Sequence, residues 1–299
     1  MKTIFILLFL SVQLVSCQEN SNMEVNKVQP DTSAAKSSSD VEQNKEEPWI
    51  NTNGKNIKER ILIPEGYSRI SLKSGSFHEY LLNYPLKSHG SAVTYFDGSK
   101  KVNRNVYCAV FDQEIGNKDL HQCADAVMNL KASYHFLKKE YDKIHFNFTS
   151  GDRADFKKYA EGYRASIKGS KVSWIKKAER DYSEKTFRNY MNLIYSYCGT
   201  ASLAKEMDPI DLKEILPGDV FILGGHPGHA VIVLDVILNE AGEKGFLLAQ
   251  SYMPAQQTQV LINPKSNNQS PWYFVKDLKD GLETPEWSFE LNQLKRFKD

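Results

Sequence analysis

Three regimes of apolar and polar positions follow one another along the chain. The first is an unbroken apolar run, Ile4 to Leu10, at the very start. It is about a third of the ~20 residues that a membrane-spanning helix needs. The second runs from Gln18 to about Pro48 and is rich in Ser, Asn, Gln, Glu and Lys, with almost no aromatic residue. Such a stretch cannot bury enough apolar surface to offset its ordering entropy, so it predicts a flexible tether. The third begins near Trp49, where strand and helix periodicities alternate and predict a folded region over 49–299.

Within that region, residues 49–150 predict an α/β part. Strands are expected at Arg60–Tyr67, at Ser91–Gly98 with an Asp97-Gly98 turn, at Asn105–Phe111 and at His145–Thr149. Asp119 can cap a helix in which Cys123, Ala126, Val127, Leu130, Tyr134 and Leu137 recur at helical spacing. Residues 151–205 predict mostly helix, with many Lys and Arg interleaved with Asp and Glu. A solvated helix face explains that basic character, and contact with an anionic envelope polymer would explain it too. From 206 onward the pattern turns to strands. Val220–Ile222 follows a Pro217-Gly218 turn, His229–Val236 is a nearly continuous apolar run, and Phe246–Ser251 returns after a polar turn at 239–244. These three suit an antiparallel meander, and the continuous apolar run suits a strand buried on both faces. The aromatic segment from Ser270 through Trp287 is expected to pack over this sheet.

Composition narrows the function classes. At 41% hydrophobic and 25% charged, the 299 residues are not a wholly disordered chain. A net charge of +1 gives no basic excess of the kind nucleic-acid binders carry, so no nucleic-acid partner is expected. Four cysteines are too few for a disulfide scaffold. Lys2, the apolar run and Leu14-Val15-Ser16-Cys17 read as a bacterial export signal over residues 1–17. Its end resembles the lipobox of bacterial lipoproteins. The resemblance implies cleavage before Cys17, a lipid on that thiol, and anchoring to a membrane on the periplasmic or outer-surface face of the envelope.

The candidate chemistry is a thiol with an imidazole. Cys198 stands at a break before a possible helix start at 200–206, and His229 opens the long strand. A helix N-terminus and a neighbouring imidazole lower a thiol's pKa, and the imidazole needs a third group to fix it. Gln250 is the first candidate, because its strand returns beside His229; Asp235 lies too far along the same strand. The bland alternative is a small core residue at Cys198 and a structural His229. The Gly224–Gly228 loop can offer backbone N–H groups to a substrate carbonyl, or simply turn a hairpin. Cys108 and Cys123 could pair in an oxidising compartment, or remain separate buried thiols. His226 has no second ligand at metal spacing, and His121 could meet a polar ligand; no metal and no cofactor are expected.

The order of Cys198, Pro217-Gly218-Asp219-Val220 and Gly228-His229-Ala230-Val231-Ile232 resembles NlpC/P60-type cysteine peptidases. Those enzymes usually carry Asp-Cys-Ser-Gly at the nucleophile, where this chain has Tyr197-Cys198-Gly199-Thr200. Gln122–Val127, Gly218–Ile222, Pro227–Val233 and Leu248–Gln256 are similar to blocks of the DUF4846 family of uncharacterised Bacteroidota lipoproteins. Together the resemblances imply an α+β fold: a papain-like, NlpC/P60-like antiparallel sheet with a preceding helix, and an N-terminal α/β extension. They imply a cysteine hydrolase of amide bonds in cell-wall peptides, with Cys198, His229 and Gln250 as its catalytic residues. The alternative is a non-catalytic lipoprotein on the same fold, which binds peptidoglycan or another envelope component or serves as an accessory to another envelope protein.

Overall fold

The computed structural model describes residues 48–298. The export signal, Cys17 and nearly all of the tether lie outside the described residues. The described residues form one compact unit, of mixed helix and antiparallel sheet. Among the described residues no helix is long and apolar enough to cross a membrane.

One nine-stranded sheet organises the unit. Its strands in chain order are β1 (Tyr67–Arg69), β2 (Tyr107–Val110), β3 (Met207–Pro209), β4 (Val220–Leu223), β5 (His229–Asn239), β6 (Lys244–Gln250), β7 (Gln259–Leu261), β8 (Tyr273–Phe274) and β9 (Leu294–Phe297). The spatial order is β2-β7-β6-β5-β4-β9-β3, with β1 added to β5 and β8 to β6. The meander β4-β5-β6 forms as its apolar runs predict. The expected N-terminal extension is not a separate layer. Its strands β1 and β2 pair with β5 and β7 of the C-terminal half, because isolated three- and four-residue strands have no sheet of their own to join.

The long strand β5 explains why the sheet sits in the middle. It is buried over its first nine residues, and its side chains alternate between two cores. Ala230, Ile232 and Leu234 face a cluster with Ala124, Val127, Met128 and Ile194; Val231 and Val233 face one with Phe221, Phe246, Leu248 and Phe289. At Leu247/Leu248 the register of β6 slips by one, and the slip lets Ile237 rejoin the first core. Asp235 is fully buried beside the slip. It is paired with Arg69 Nε at 2.7 Å and His78 Nε2 at 3.0 Å, so a charge at the centre of the sheet is compensated.

Helices cover the first core. They are α1 (Ile57–Arg60), α2 (Phe77–Leu82), α3 (Cys123–Leu137), α4 (Phe156–Ala160), α5 (Glu184–Tyr197) and α6 (Thr200–Leu203). In α5 the buried Thr186, Tyr190, Met191 and Ile194 recur at helical spacing and give one apolar face. The second core is closed by the C-terminal segment, including Leu278, Leu282, Phe289 and Leu294.

Some local expectations give way to the structure. Arg60–Tyr67 is not a strand: α1, capped by Asn56, ends at Arg60, Ile61 makes an isolated bridge to Ile50, and β1 begins only at Tyr67. Ser91–Gly98 makes isolated bridges at Thr94 and Tyr95 but no strand. Residues 151–205 are only partly helical. Tyr163–Lys168 and Lys171–Lys176 form a hairpin, and Arg153–Asp155 pairs with His145–Asn147. The two-residue turn at Gly169-Ser170 has Gly169 at φ 59°, a conformation that suits hairpins and suits no helix.

Candidate functional site

Alternation along antiparallel strands puts His229, the first residue of β5, and Gln250, the last of β6, on one face of the sheet. They meet there: His229 Nε2 lies 2.8 Å from Gln250 Oε1, and both side chains are buried. Tyr252, Trp287 and Phe289 pack their rings around the imidazole, with centroids 4.8, 5.2 and 5.9 Å away. Burial in this aromatic box pushes the His229 pKa down to about 4. The nearby Lys101 charge acts in the same direction and the bond to Gln250 opposes it. At neutral pH the ring is therefore uncharged, with a lone pair available as a base.

A cavity of about 330 Å³ opens beside His229. It is bordered by Cys123, Asp125 and Gln122 from the start of α3, by Cys198 and Thr200 from the α5–α6 junction, and by the Gly225–Gly228 loop. A second cleft of about 340 Å³, bordered by Tyr84, Gln113, His121 and Tyr195, holds no thiol. Of these two, the first joins thiols to an imidazole and the second does not.

The two thiols stand in different electrostatic settings. Cys198 caps the C-terminal end of α5; its backbone N–H donates to Ile194 O at 2.7 Å. That is the negative end of the helix dipole, which disfavours a thiolate. Burial, then the charges of Glu206 and Asp125, hold its pKa far above the ordinary thiol range. The four-residue α6 that follows starts at Thr200, and Cys198 lies outside it.

Cys123 is instead the first residue of the fifteen-residue α3. Here the unsatisfied N–H groups and the positive dipole end favour negative charge. Burial and Asp125 push the Cys123 thiol up to about 11, while backbone N–H groups of Ala124, Ala230 and Cys123 itself pull the other way. Ala230 directly follows His229, so this contact ties the thiol to the mouth of β5. Asp125 holds the helix start by accepting from Gln122 N–H at 3.0 Å through Oδ2. Its Oδ1 is buried without a hydrogen-bond partner. Burial pushes its pKa up to about 8, opposed by the Gln122 N–H.

The Gly224–Gly228 loop is locked against the α5–α6 junction. Thr200 Oγ1 donates to Gly225 O at 3.2 Å, and a Cβ on Gly228 would sit 2.4 Å from Thr200 Oγ1 and 2.5 Å from Gly225 O. Only glycine fits there. Ser202 is engaged with the backbone of Gly199.

Of the residues singled out from sequence, Cys198, His229 and Gln250 are thus gathered at one place, and Cys198 does not lie at a helix start. Cys108 and Cys123 stand as thiols and not as a disulfide: Cys108 Sγ turns to Val260 O at 3.7 Å, while Cys123 borders the cavity. His121 is buried against Gln113 and Thr258, a packing position. Among the described residues no group of three His, Cys, Asp or Glu side chains could hold a metal ion. What sequence reasoning passed over is the place of Cys123 at this site. Its signal was present, a Cys opening a run of helical spacing, but the start of that helix was read from Asp119. In the structure Asp119 instead accepts from Gln122 Nε2 at 2.9 Å and Ala255 N–H at 2.7 Å, and Gln122 is the cap.

No curated protein and no solved structure matches the chain. One family model does, over residues 57–296, which takes in all of the sheet but Phe297 and every residue of the cavity just described. By that match the chain belongs to the family described as "Domain of unknown function (4846)".

Proposed function

We propose that the protein is a cysteine hydrolase of amide bonds in envelope peptides, with Cys123 as nucleophile, His229 as general base and acid, and Gln250 as the group that orients the imidazole. The observation that carries this reading is the shared cavity. A thiol at the N-terminus of a long helix borders the same space as an imidazole whose far side is held by an amide oxygen. The chain order Cys, His, Gln, with the histidine and the amide on neighbouring strands, also supports a likeness to NlpC/P60 peptidases. In that comparison Gln122-Cys123-Ala124 stands where those enzymes carry Asp-Cys-Ser.

The chemistry follows from the resting state. Thiol and imidazole are both neutral at pH 7, since burial raises one pKa and lowers the other. Proton transfer therefore accompanies attack. Cys123 Sγ bonds to the carbonyl carbon while its proton passes to the His229 nitrogen not engaged by Gln250. The oxyanion meets the N–H groups of the first turn of α3. The C–N bond then breaks, and the amine leaves with the proton from His229. Water, deprotonated by His229, cleaves the thioester, which releases the acid and restores the thiol.

The envelope setting rests on Leu14-Val15-Ser16-Cys17 and the polar tether after it. In this reading Cys17 carries lipid and the folded unit hangs from a membrane surface. A Cys17→Ser chain that leaves the membrane fraction would support the anchor; one that stays would remove it.

The test of the hydrolase is turnover of cell-wall peptide fragments by the full chain, followed by mass spectrometry. Loss in Cys123→Ala with retention in Cys198→Ala supports the assignment. Saturable binding of the fragments with no change of mass would favour the non-catalytic alternative.

A further inference from the structure

Behind Gln250 lies a chain of side chains that donor and acceptor chemistry permits in only one orientation. Gln250 Nε2 lies 2.6 Å from Glu286 Oε2. Lys101 Nζ donates to both Glu286 oxygens, at 2.8 and 2.7 Å, and to Gln256 Oε1 at 3.1 Å. Lys101 is 5% exposed and Gln250 1%, while the Glu286 side chain keeps 21% of its surface in solvent, so the two ends of the chain are fixed inside the protein. The Glu286 carboxylate, already bound by an ammonium group, has only acceptor atoms to offer. Gln250 must then turn its NH2 to Glu286 and its carbonyl to His229. A carbonyl only accepts, so His229 Nε2 must carry the ring proton. Nδ1 is left bare, with the lone pair that a base needs.

We infer that Glu286 is a positioning residue for His229: through Gln250 it fixes the Nε2–H tautomer, with Lys101 as its counter-ion. Without the carboxylate the Gln250 amide is free to turn over. Its NH2 would then face the imidazole and stabilise the opposite tautomer, Nδ1–H. In sequence Lys101, Gln250 and Glu286 are far apart and follow no common motif. The consequence for proton transfer rests on the hydrolase reading. The tautomer itself does not, and its measurement needs no turnover, so the two readings can fail separately.

The experiment is two-bond 1H–15N correlation NMR of the histidine rings of the full, 15N-labelled chain at neutral pH. His229→Gln identifies the ring among the seven histidines. The parent is expected to show a protonated Nε2 and a bare Nδ1. In Glu286→Gln the second tautomer is expected to appear, and Glu286→Asp, which keeps a carboxylate, is expected to restore the parent pattern. A pure Nε2–H ring in Glu286→Gln with an otherwise native spectrum would overturn the inference. So would loss of the tautomer in Glu286→Asp as well as in Glu286→Gln. Should Glu286→Gln not fold, the parent spectrum decides alone, because an Nδ1–H ring in the parent contradicts the inference outright.

Discussion

Cys123 and Cys198 border one cavity from opposite helix ends: Cys123 opens α3, whereas Cys198 closes α5. Two thiols that share one cavity thus sit at helix termini of opposite sign. The contrast is what favours Cys123 in the proposed reading. Negative charge developing on sulfur is favoured at the first terminus and opposed at the second.

Alkylation should separate them. With iodoacetamide the native protein is expected to label at Cys123 before Cys198, slowly at pH 7 and faster as pH rises towards about 11, where its thiol ionises. Cys198 should label fully only after unfolding. Peptide mass spectrometry reads both sites, and a Cys198 that labels first in the native state would reverse the assignment. Under turnover, Cys123→Ser should lower kcat roughly a thousand-fold or more.

Acid should weaken the fold through its buried imidazoles. Burial holds both His121 and His229 at about 4, below the ordinary value of 6.5. Between those values the unfolded chain binds protons that the folded chain refuses. Their neutral burial therefore costs nothing above about pH 6.5, and it erodes stability as pH falls towards 4. His121→Gln should remove its share of that loss. Urea denaturation of parent and variant at pH 7 and pH 5 checks this; equal losses in the two proteins would mean His121 does not titrate in that window.

Asp125 should act in the opposite sense. Its pKa of about 8 exceeds the ordinary 3.8, so the folded chain keeps a proton that the unfolded chain gives up. The stability this group contributes is complete below 3.8 and is lost as pH rises to about 8. Asp125→Asn keeps an acceptor for the Gln122 N–H and has no such loss. It should gain on the parent steadily from pH 5 to pH 8, by about a few kcal/mol at most. A constant difference across that range, in urea denaturation, would contradict the assigned shift.

The loop beside His229 should not tolerate a methyl group. Gly228→Ala places a Cβ against Thr200 Oγ1 and two backbone oxygens, those of Gly225 and Leu223. A cost of about 1–3 kcal/mol is expected from the displaced loop. It would appear as a lower Tm, with turnover reduced as well if the loop borders the substrate. An unchanged Tm would show that the loop is less tightly locked than its contacts imply.

Much of the sheet could be read from the chain alone, because its signals are local. The apolar run His229–Val236, its polar turn and the return at Phe246 specify a buried meander by periodicity and turn chemistry. The helix from Cys123 to Leu137 was visible for the same reason, and so was the pairing of His229 with Gln250, which needs only adjacent strands in register. What the sequence by itself could not determine was which thiol faces that pair. Cys198 was favoured because it stands at a break before a possible helix start, and periodicity alone does not say which helix end packs against that pair. The tertiary structure brings both thiols to the cavity: Cys198 comes from the end of α5, and Cys123 comes because α3 packs across β5, which sets the start of a helix about a hundred residues upstream at the mouth of that strand. It also decided the support behind Gln250. Lys101 and Glu286 meet there because the loop after Val93 and the C-terminal segment both close on the same end of the sheet, a consequence of packing that no periodicity encodes.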